Sequence, residues 1–120
     1  MKRRIFIGLV VLITMLFANF ASAQTVRSKS TGLLTADKTV ITGKSILTGF
    51  LVVTDGTNNA TIVIYDNTSA AGTELAKIVV LGASYFGGGT FEIPIRCTKG
   101  IYADITGTGA SYIIYYNVEP

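Results

Sequence analysis

The chain has 120 residues, ten basic and seven acidic, with no histidine, no tryptophan and one cysteine. This length suits a single domain. Without histidine a Ser/His/Asp or Cys/His catalytic arrangement cannot be built, and the commonest protein ligand of transition metals is absent. One cysteine also excludes an internal disulfide framework. Composition alone therefore disfavours the usual hydrolases, zinc sites and cystine-stapled folds.

The first 23 residues have the three parts of a secretory signal peptide in order. Residues 2–4 are basic, residues 5–17 are apolar and uncharged, and residues 21–23 form a small-residue A-x-A cleavage site. We expect cleavage before Gln24 and export to the periplasm, the cell surface or the medium. The alternative is an uncleaved membrane anchor, since residues 5–23 are just long enough to span a bilayer.

Cleavage would change the charge balance of the protein. Three of the ten basic residues lie in the expected leader, so the rest of the chain carries seven basic and seven acidic residues. The basic residues are scattered, whereas a nucleic-acid-binding protein usually has a clustered basic face. We expect no nucleic-acid partner and no stable membrane insertion. Neutrality favours self-association or docking on a larger assembly.

The remaining sequence predicts a flexible arm at residues 24–30 and one domain at residues 31–120. Residues 46–54 and 60–65 are rich in β-branched and aromatic side chains and flank the turn formers DGTNN at 55–59. Two such segments joined by about five turn residues predict a β-hairpin. Residues 62–64 are apolar on both faces, which indicates a strand at the centre of a sheet.

Further strand patterns follow along the chain. Residues 74–81 favour a strand over a short helix, and residues 82–89 (GASYFGGG) predict a flexible loop. Residues 90–96 alternate, with Pro94 expected at a sheet edge or a bulge. Residues 101–105 also alternate, with Ile101, Ala103 and Ile105 expected inward and Tyr102 and Asp104 outward, and residues 111–118 form the closing strand. Seven or eight short strands without a convincing helix predict an all-β fold, a single antiparallel β-sandwich of jelly-roll or immunoglobulin-like type.

The carboxylates give no clear catalytic or metal signature. Asp55 and Asp66 stand in turn contexts, where aspartate commonly accepts hydrogen bonds from nearby backbone amides. Oxygen-rich turns could also hold calcium, but the two clusters fall at opposite ends of one strand and lack EF-hand spacing. Glu92 and Asp104 lie on polar sides of strands. We therefore predict no catalytic residue, no metal and no cofactor.

Aromatic residues are the remaining functional signal. Tyr85 and Phe86 lie beside three consecutive glycines, and Tyr102 lies on the polar side of a strand. Such side chains stack on sugars or pack at protein interfaces, so these three are the candidate ligand or interface residues. Cys97 has two interpretations. It is either a small buried hydrophobic residue or the source of a disulfide between chains.

Two segments resemble a known group of proteins. TIVIYDNTSAAGT at 61–73 and GIYADITG at 100–107 are similar to segments of small all-β virion-associated proteins of tailed bacteriophages, which serve as decoration or structural proteins. The resemblance implies a β-sandwich with a structural role in a virion and supplies no catalytic residues. Those phage proteins normally lack a signal peptide, so the leader here is an addition.

The predicted function is that of a non-enzymatic structural or interaction protein. We expect a small exported β-sandwich that self-associates or decorates a larger surface or virion assembly. The arm at residues 24–30 could add as a strand to a neighbour's sheet edge. The alternative is an exported carbohydrate- or surface-binding module that uses Tyr85, Phe86 and Tyr102 to bind a surface glycan.

Overall fold

The computed structural model describes residues 27–119. The expected leader at 1–23 and the first three residues of the expected arm lie outside the described residues. Between residues 27 and 119 no helix is long and apolar enough to span a membrane. A 3-10 turn, Gly82–Ser84, lies among eight strands. The strands are β1 Lys29–Ser30, β2 Lys38–Thr42, β3 Ser45–Val53, β4 Ala60–Asp66, β5 Thr73–Val80, β6 Phe86–Cys97, β7 Gly100–Thr106 and β8 Ser111–Val118.

The strands form two antiparallel sheets of four. The first sheet has the order β1-β8-β3-β6 and the second the order β2-β7-β4-β5. Only β4 and β5 follow each other in sequence within one sheet, and every other connection crosses to the opposite sheet. This is the strand order of a jelly roll built from two Greek keys. The predicted β-sandwich is confirmed, in its jelly-roll form.

The predicted hairpin between β3 and β4 is wrong. β3 pairs with β6 and β8, whereas β4 pairs with β5 and β7. The DGTNN turn reverses the chain but carries it to the other sheet, about 10 Å away. Both strands are central, so each needs two neighbours that come from later in the chain. The true hairpin joins β4 to β5.

The predicted glycine loop is also wrong in part. β6 begins at Phe86, and residues 86–90 pair continuously with residues 49–53 of β3. A Cβ on Gly87 would lie 2.8 Å from Val80 Cγ2, and one on Gly88 would lie 2.3 Å from the Phe50 carbonyl oxygen. The glycines therefore permit close packing within a strand. Pro94 does lie on the edge strand β6, at an irregularity in its pairing, as predicted.

The core lies between the sheets and follows the alternation of the strands. Ile62 and Ile64 of β4 face inward with no exposed surface, while Val63 between them faces outward and is half-buried. The predicted central position of residues 62–64 is confirmed. Cys97 is fully buried as a free thiol, in agreement with its interpretation as a small hydrophobic residue. The other hydrophobic side chains with no exposed surface are Leu47, Val52, Ala60, Ile101, Ala103, Tyr112 and Ile114.

The sandwich begins inside the segment expected to be an arm. Lys29 and Ser30 pair with Tyr116 and Tyr115 of β8. The pairing continues past β1, because the Thr31 N–H donates to the Ile114 carbonyl at 3.0 Å. Residues 29 and 30 are therefore part of the first sheet.

Candidate functional site

The connection between β5 and β6 carries exposed apolar side chains at a corner of the sandwich, here named the Tyr85 corner and defined by Leu81, Tyr85 and Phe86. The 3-10 turn is closed by the Ser84 N–H, which donates to the Leu81 carbonyl at 2.9 Å. It brings Leu81 to the same corner as the two aromatic residues. Leu81, Tyr85 and Phe86 expose 60%, 61% and 66% of their surface. Large apolar side chains grouped in this way typically mark an interaction surface.

The backbone of this corner is held by the connection between β3 and β4. The buried Thr54 hydroxyl donates to the Gly82 carbonyl at 2.8 Å, and the Thr54 N–H donates to the Tyr85 carbonyl at 2.8 Å. The Gly82 N–H donates to Asn59 Oδ1 at 3.0 Å. The backbone of the corner is therefore held by Thr54 and Asn59, although the side chains of the corner remain exposed.

Tyr85 has a strained backbone. Its φ of +67° makes it the one non-glycine residue with positive φ among those described. A bulky side chain in this region typically costs about 1–3 kcal/mol and persists only where the surroundings enforce it. Its ring packs over Gly56, where a Cβ would lie 2.9 Å from Tyr85 Cε1. Such strain is commonly found at functional sites, so Tyr85 is the main candidate at this corner.

Tyr102 is separated from the other two candidates. It lies on the outer face of the second sheet, opposite Thr39 and Tyr65 in the register. Its strand starts at Gly100, at the end of the sandwich away from the 3-10 turn. Tyr65 beside it has a raised pKa because of burial and the nearby charges of Glu74 and Asp104. The structure thus places Tyr85 and Phe86 together and Tyr102 elsewhere.

The edge of β6 next to the corner is open. No described strand pairs with the outer side of β6, which is the last strand of its sheet. Residues 86–90 contain no charge and no proline. The edge strand of the second sheet, β5, carries Glu74 and Lys77, which discourage pairing with another chain. Residues 86–90 are therefore available for a further strand.

The carboxylates of the two turn aspartates, Asp55 and Asp66, accept hydrogen bonds from backbone N–H groups. Asp55 Oδ1 accepts from the N–H groups of Asn58 at 2.7 Å and Thr57 at 2.8 Å, and these bonds lower its pKa. Asp66 accepts from the turn between β6 and β7, including the Lys99 N–H at 2.8 Å. The expected bonding to nearby backbone amides is confirmed for Asp55 and wrong for Asp66, whose partners lie in a turn more than 30 positions away in sequence.

A carboxylate pair unforeseen in the sequence lies at the outer side of β7. Asp37 Oδ1 accepts from the Ile105 N–H at 2.8 Å. Burial, the neighbouring Asp37 charge and a hydrogen bond with Asp37 raise the pKa of Asp104. Within residues 27–119 no three histidine, cysteine, aspartate or glutamate side chains are grouped as a metal site would require. Two carboxylates alone lack the ligand number that calcium prefers.

Sequence reasoning missed a groove on the outer face of the first sheet, here named the sheet groove. Leu47 pairs with Ile95 and Gly49 with Thr90, so only Thr48 stands opposite residues 91–94. This irregular segment supplies one wall, and the Phe91 ring lies 5.9 Å from that of Phe50. The groove has a volume of about 500 Å³ and is lined by Ser28, Ile46, Thr48, Thr90, Phe91, Pro94, Arg96 and Asn117.

The sheet groove contains one unsatisfied polar atom. The Thr48 hydroxyl oxygen is buried and has no hydrogen-bond partner among the described residues. Most buried hydroxyl groups are hydrogen-bonded, and leaving one unpaired costs about 1–3 kcal/mol. Ligand pockets of about 300–1,000 Å³ typically combine apolar walls with a few polar groups, and the sheet groove has both features.

Two further polar groups are fixed around the sheet groove. In the amide orientation that satisfies its neighbours, Asn117 Nδ2 donates to the Arg27 carbonyl at 2.6 Å and to the Tyr116 carbonyl at 3.0 Å. Arg96 Nε lies 3.2 Å from Glu119 Oε1, and the Arg96 side chain is 75% exposed. Arg96 is the one charged residue that residues 27–119 contribute to the lining. The sequence signal for this groove was Pro94, which predicted a bulge but not what lies opposite it.

Comparisons of the chain with family models, with curated proteins and with solved structures found no match. The similarity to virion-associated phage proteins therefore stays a prediction. The features of the described residues that bear on function are the Tyr85 corner, the open β6 edge and the sheet groove.

Proposed function

We propose that the protein is a non-enzymatic interaction module, exported from the cell, that self-associates through the Tyr85 corner and the adjoining edge of β6. The observation that carries the proposal is the strained Tyr85 backbone, which holds exposed apolar side chains at one corner. The lack of histidine in the whole sequence supports a role without catalysis. The resemblance to decoration proteins of phages points in the same direction.

A second copy is the partner that this surface suits. An edge strand can pair antiparallel with the same strand of a second copy across a two-fold axis. Pairing about Gly88 would place no like charges opposite each other, because residues 86–90 are uncharged. The same two-fold axis would bring both Tyr85 corners to the new interface. Backbone hydrogen bonds would then supply the pairing and the apolar side chains the burial.

Burial of the exposed apolar side chains of the corner would contribute to the free energy of association. Fully burying a leucine or phenylalanine side chain stabilises by about 1.5–3 kcal/mol, and these residues still expose nearly two thirds of their surface. Each is therefore worth about 1–2 kcal/mol per protomer on association. Since every 1.4 kcal/mol is tenfold in affinity, losing one such side chain from both copies should weaken the dimer by about 100-fold.

The test is the mass of the protein in solution, measured by light scattering over a range of concentrations. We expect wild type to form a dimer or larger assembly, and Leu81→Ser and Phe86→Lys to shift it to monomer. Leu33→Ser is the matched control, because Leu33 is 62% exposed at the opposite edge of the first sheet. A wild-type monomer at the highest reachable concentration would refute the proposal, as would equal effects of Leu33→Ser and Leu81→Ser.

A further inference from the structure

The sheet groove shares only Thr90 with the β6 segment proposed for self-association. We propose that it is a binding site for an acidic saccharide, a sugar ring that carries a carboxylate as in a uronic acid. It lies at the end of the first sheet where β3 begins and β8 ends, whereas the Tyr85 corner lies at the other end. Its lining comes from the segment before β1 and from strands β3, β6 and β8. The groove thus spans the whole width of the sheet.

The apolar part of the lining fits the flat face of a sugar ring. Ile46, Phe91 and Pro94 present hydrocarbon surface. A saccharide ring has C–H groups on its face and hydroxyl groups around its rim, so it can bury the first against these side chains.

The polar part of the lining fits the rim of the ring. Ser28, Thr48 and Thr90 supply three hydroxyl groups, each able to donate or accept. The Thr48 oxygen is already buried and lacks a partner among the described residues. A ligand hydroxyl would satisfy it once rotation about the Thr48 Cα–Cβ bond turns the hydroxyl into the groove. A purely apolar ligand would leave it unpaired, which argues for a hydroxylated ligand.

The charge of the groove selects an acidic ligand. Among the described residues no carboxylate lines the groove, and Arg96 is the one charged residue of that lining. Glu119 engages Arg96 through Nε, and no described residue bonds to its two terminal nitrogens. A guanidinium group binds carboxylates strongly through paired N–H donors. The terminal nitrogens of Arg96 can therefore hold the carboxylate of a sugar acid whose ring lies against Ile46 and Pro94.

The test is calorimetric titration of the full chain with trigalacturonate and with its methyl ester. The ester keeps the rings and hydroxyl groups but loses the charges. We expect the acid to bind more tightly than the ester. Decanoate, which has a carboxylate and an apolar chain but no hydroxyl groups, should bind more weakly than the acid.

Two variants assign the residues. Arg96→Gln should lower the affinity for the acid about tenfold and leave that for the ester unchanged, because it removes the charged partner. Thr48→Val should lower the affinity for both forms and leave the melting temperature equal or higher, since it removes an unpaired buried hydroxyl. Thr61→Val is the control, on the outer face of the second sheet.

Several results would overturn the assignment: binding of none of the three probes, an ester or decanoate that binds as tightly as the acid, or variants at Arg96 and Thr48 that leave affinity unchanged. A lower melting temperature for Thr48→Val with unaltered affinity would mean that the hydroxyl is structural. Phe86→Lys should retain binding, so failure here and failure of the proposed self-association can be told apart.

Discussion

Replacing Asp66 by alanine should destabilise the sandwich at the end where β4 finishes and β7 begins. The Asp66 carboxylate accepts the Lys99 N–H at 2.8 Å and the Thr98 N–H at 3.0 Å, with the Gly100 N–H more distant at 3.3 Å. The Thr98 hydroxyl adds a bond of 3.1 Å. One side chain of the second sheet thus holds the whole turn that leads from β6 in the first sheet to β7.

The expected loss can be worked from these contacts. A hydrogen bond to a charged group contributes about 1.5–3 kcal/mol, but water can replace part of what a half-exposed carboxylate provides. We therefore expect Asp66→Ala to lower the free energy of unfolding by about 2 kcal/mol. For a domain of this size, 1 kcal/mol corresponds to a shift of about 4–8 °C, so the melting temperature should fall by about 8–16 °C.

The loss should depend on pH in a defined direction. Partial burial raises the pKa of Asp66, but the bonds from Lys99, Thr98 and Gly100 outweigh it and hold the pKa below its ordinary value of 3.8. A carboxyl group with a lowered folded-state pKa stabilises fully above its unfolded pKa and loses that contribution as the pH falls through the folded value. The difference between wild type and Asp66→Ala should therefore be constant near neutrality and shrink below about pH 4.

The assay is thermal unfolding followed by circular dichroism, at neutral pH and through the acid range. Asp55→Ala is the control, because among the described residues Asp55 accepts hydrogen bonds only from its own loop. It should lower the melting temperature less. The reasoning fails if Asp55→Ala costs as much as Asp66→Ala, or if the deficit of Asp66→Ala stays unchanged at low pH.

Three other predictions concern the core and its margins. Gly88→Ala should lower the free energy of unfolding, measured in urea, by about 2 kcal/mol, because φ is +115° and the new Cβ would lie 2.3 Å from a backbone oxygen. Gly89→Ala has open space around its Cβ and should lower it less. Cys97, whose pKa is raised by burial and by the nearby Asp66 charge, should react with a thiol reagent only after unfolding, and reductant should not change the mass of the native protein. Tyr112→Phe should cost about 1 kcal/mol, because its hydroxyl donates to a backbone carbonyl at 2.6 Å. Burial, with the nearby Asp37 and Tyr102, raises the pKa of Tyr112 to about 12. Its stabilising contribution should therefore be intact below pH 10 and lost as the pH rises toward 12. An absorbance titration should show the ionisation of Tyr112 in that range.

Local sequence patterns were sufficient to predict the strands and which of their side chains face the core. The alternation at residues 101–105 placed Ile101 and Ala103 in the core and Tyr102 outside, as the structure shows. The apolar residues 62–64 marked a central strand for the same reason, since a strand exposes alternate side chains to opposite faces. Pro94 marked an edge or a bulge because it cannot donate to a sheet ladder. Each of these inferences needs only the geometry of one strand.

Local sequence patterns did not determine which strands pair, because each strand's partners lie far away in the sequence. The turn formers at residues 55–59 permit a reversal but do not specify which sheet receives the next strand. The glycines at residues 87–89 suggest a mobile loop until Val80 and Phe50 are seen against them. In both cases the deciding contact comes from a separate part of the chain.

The sequence by itself determined an all-β chain, its central strands and the aromatic character of Tyr85 and Phe86, because residue type and period 2 are local properties. Only the tertiary structure decided the jelly-roll order, the strain at Tyr85 and the sheet groove. The groove shows the reason most clearly. It exists because Thr48 faces a four-residue irregular segment more than 40 positions later, and register across that separation is set by the packing of the whole sandwich.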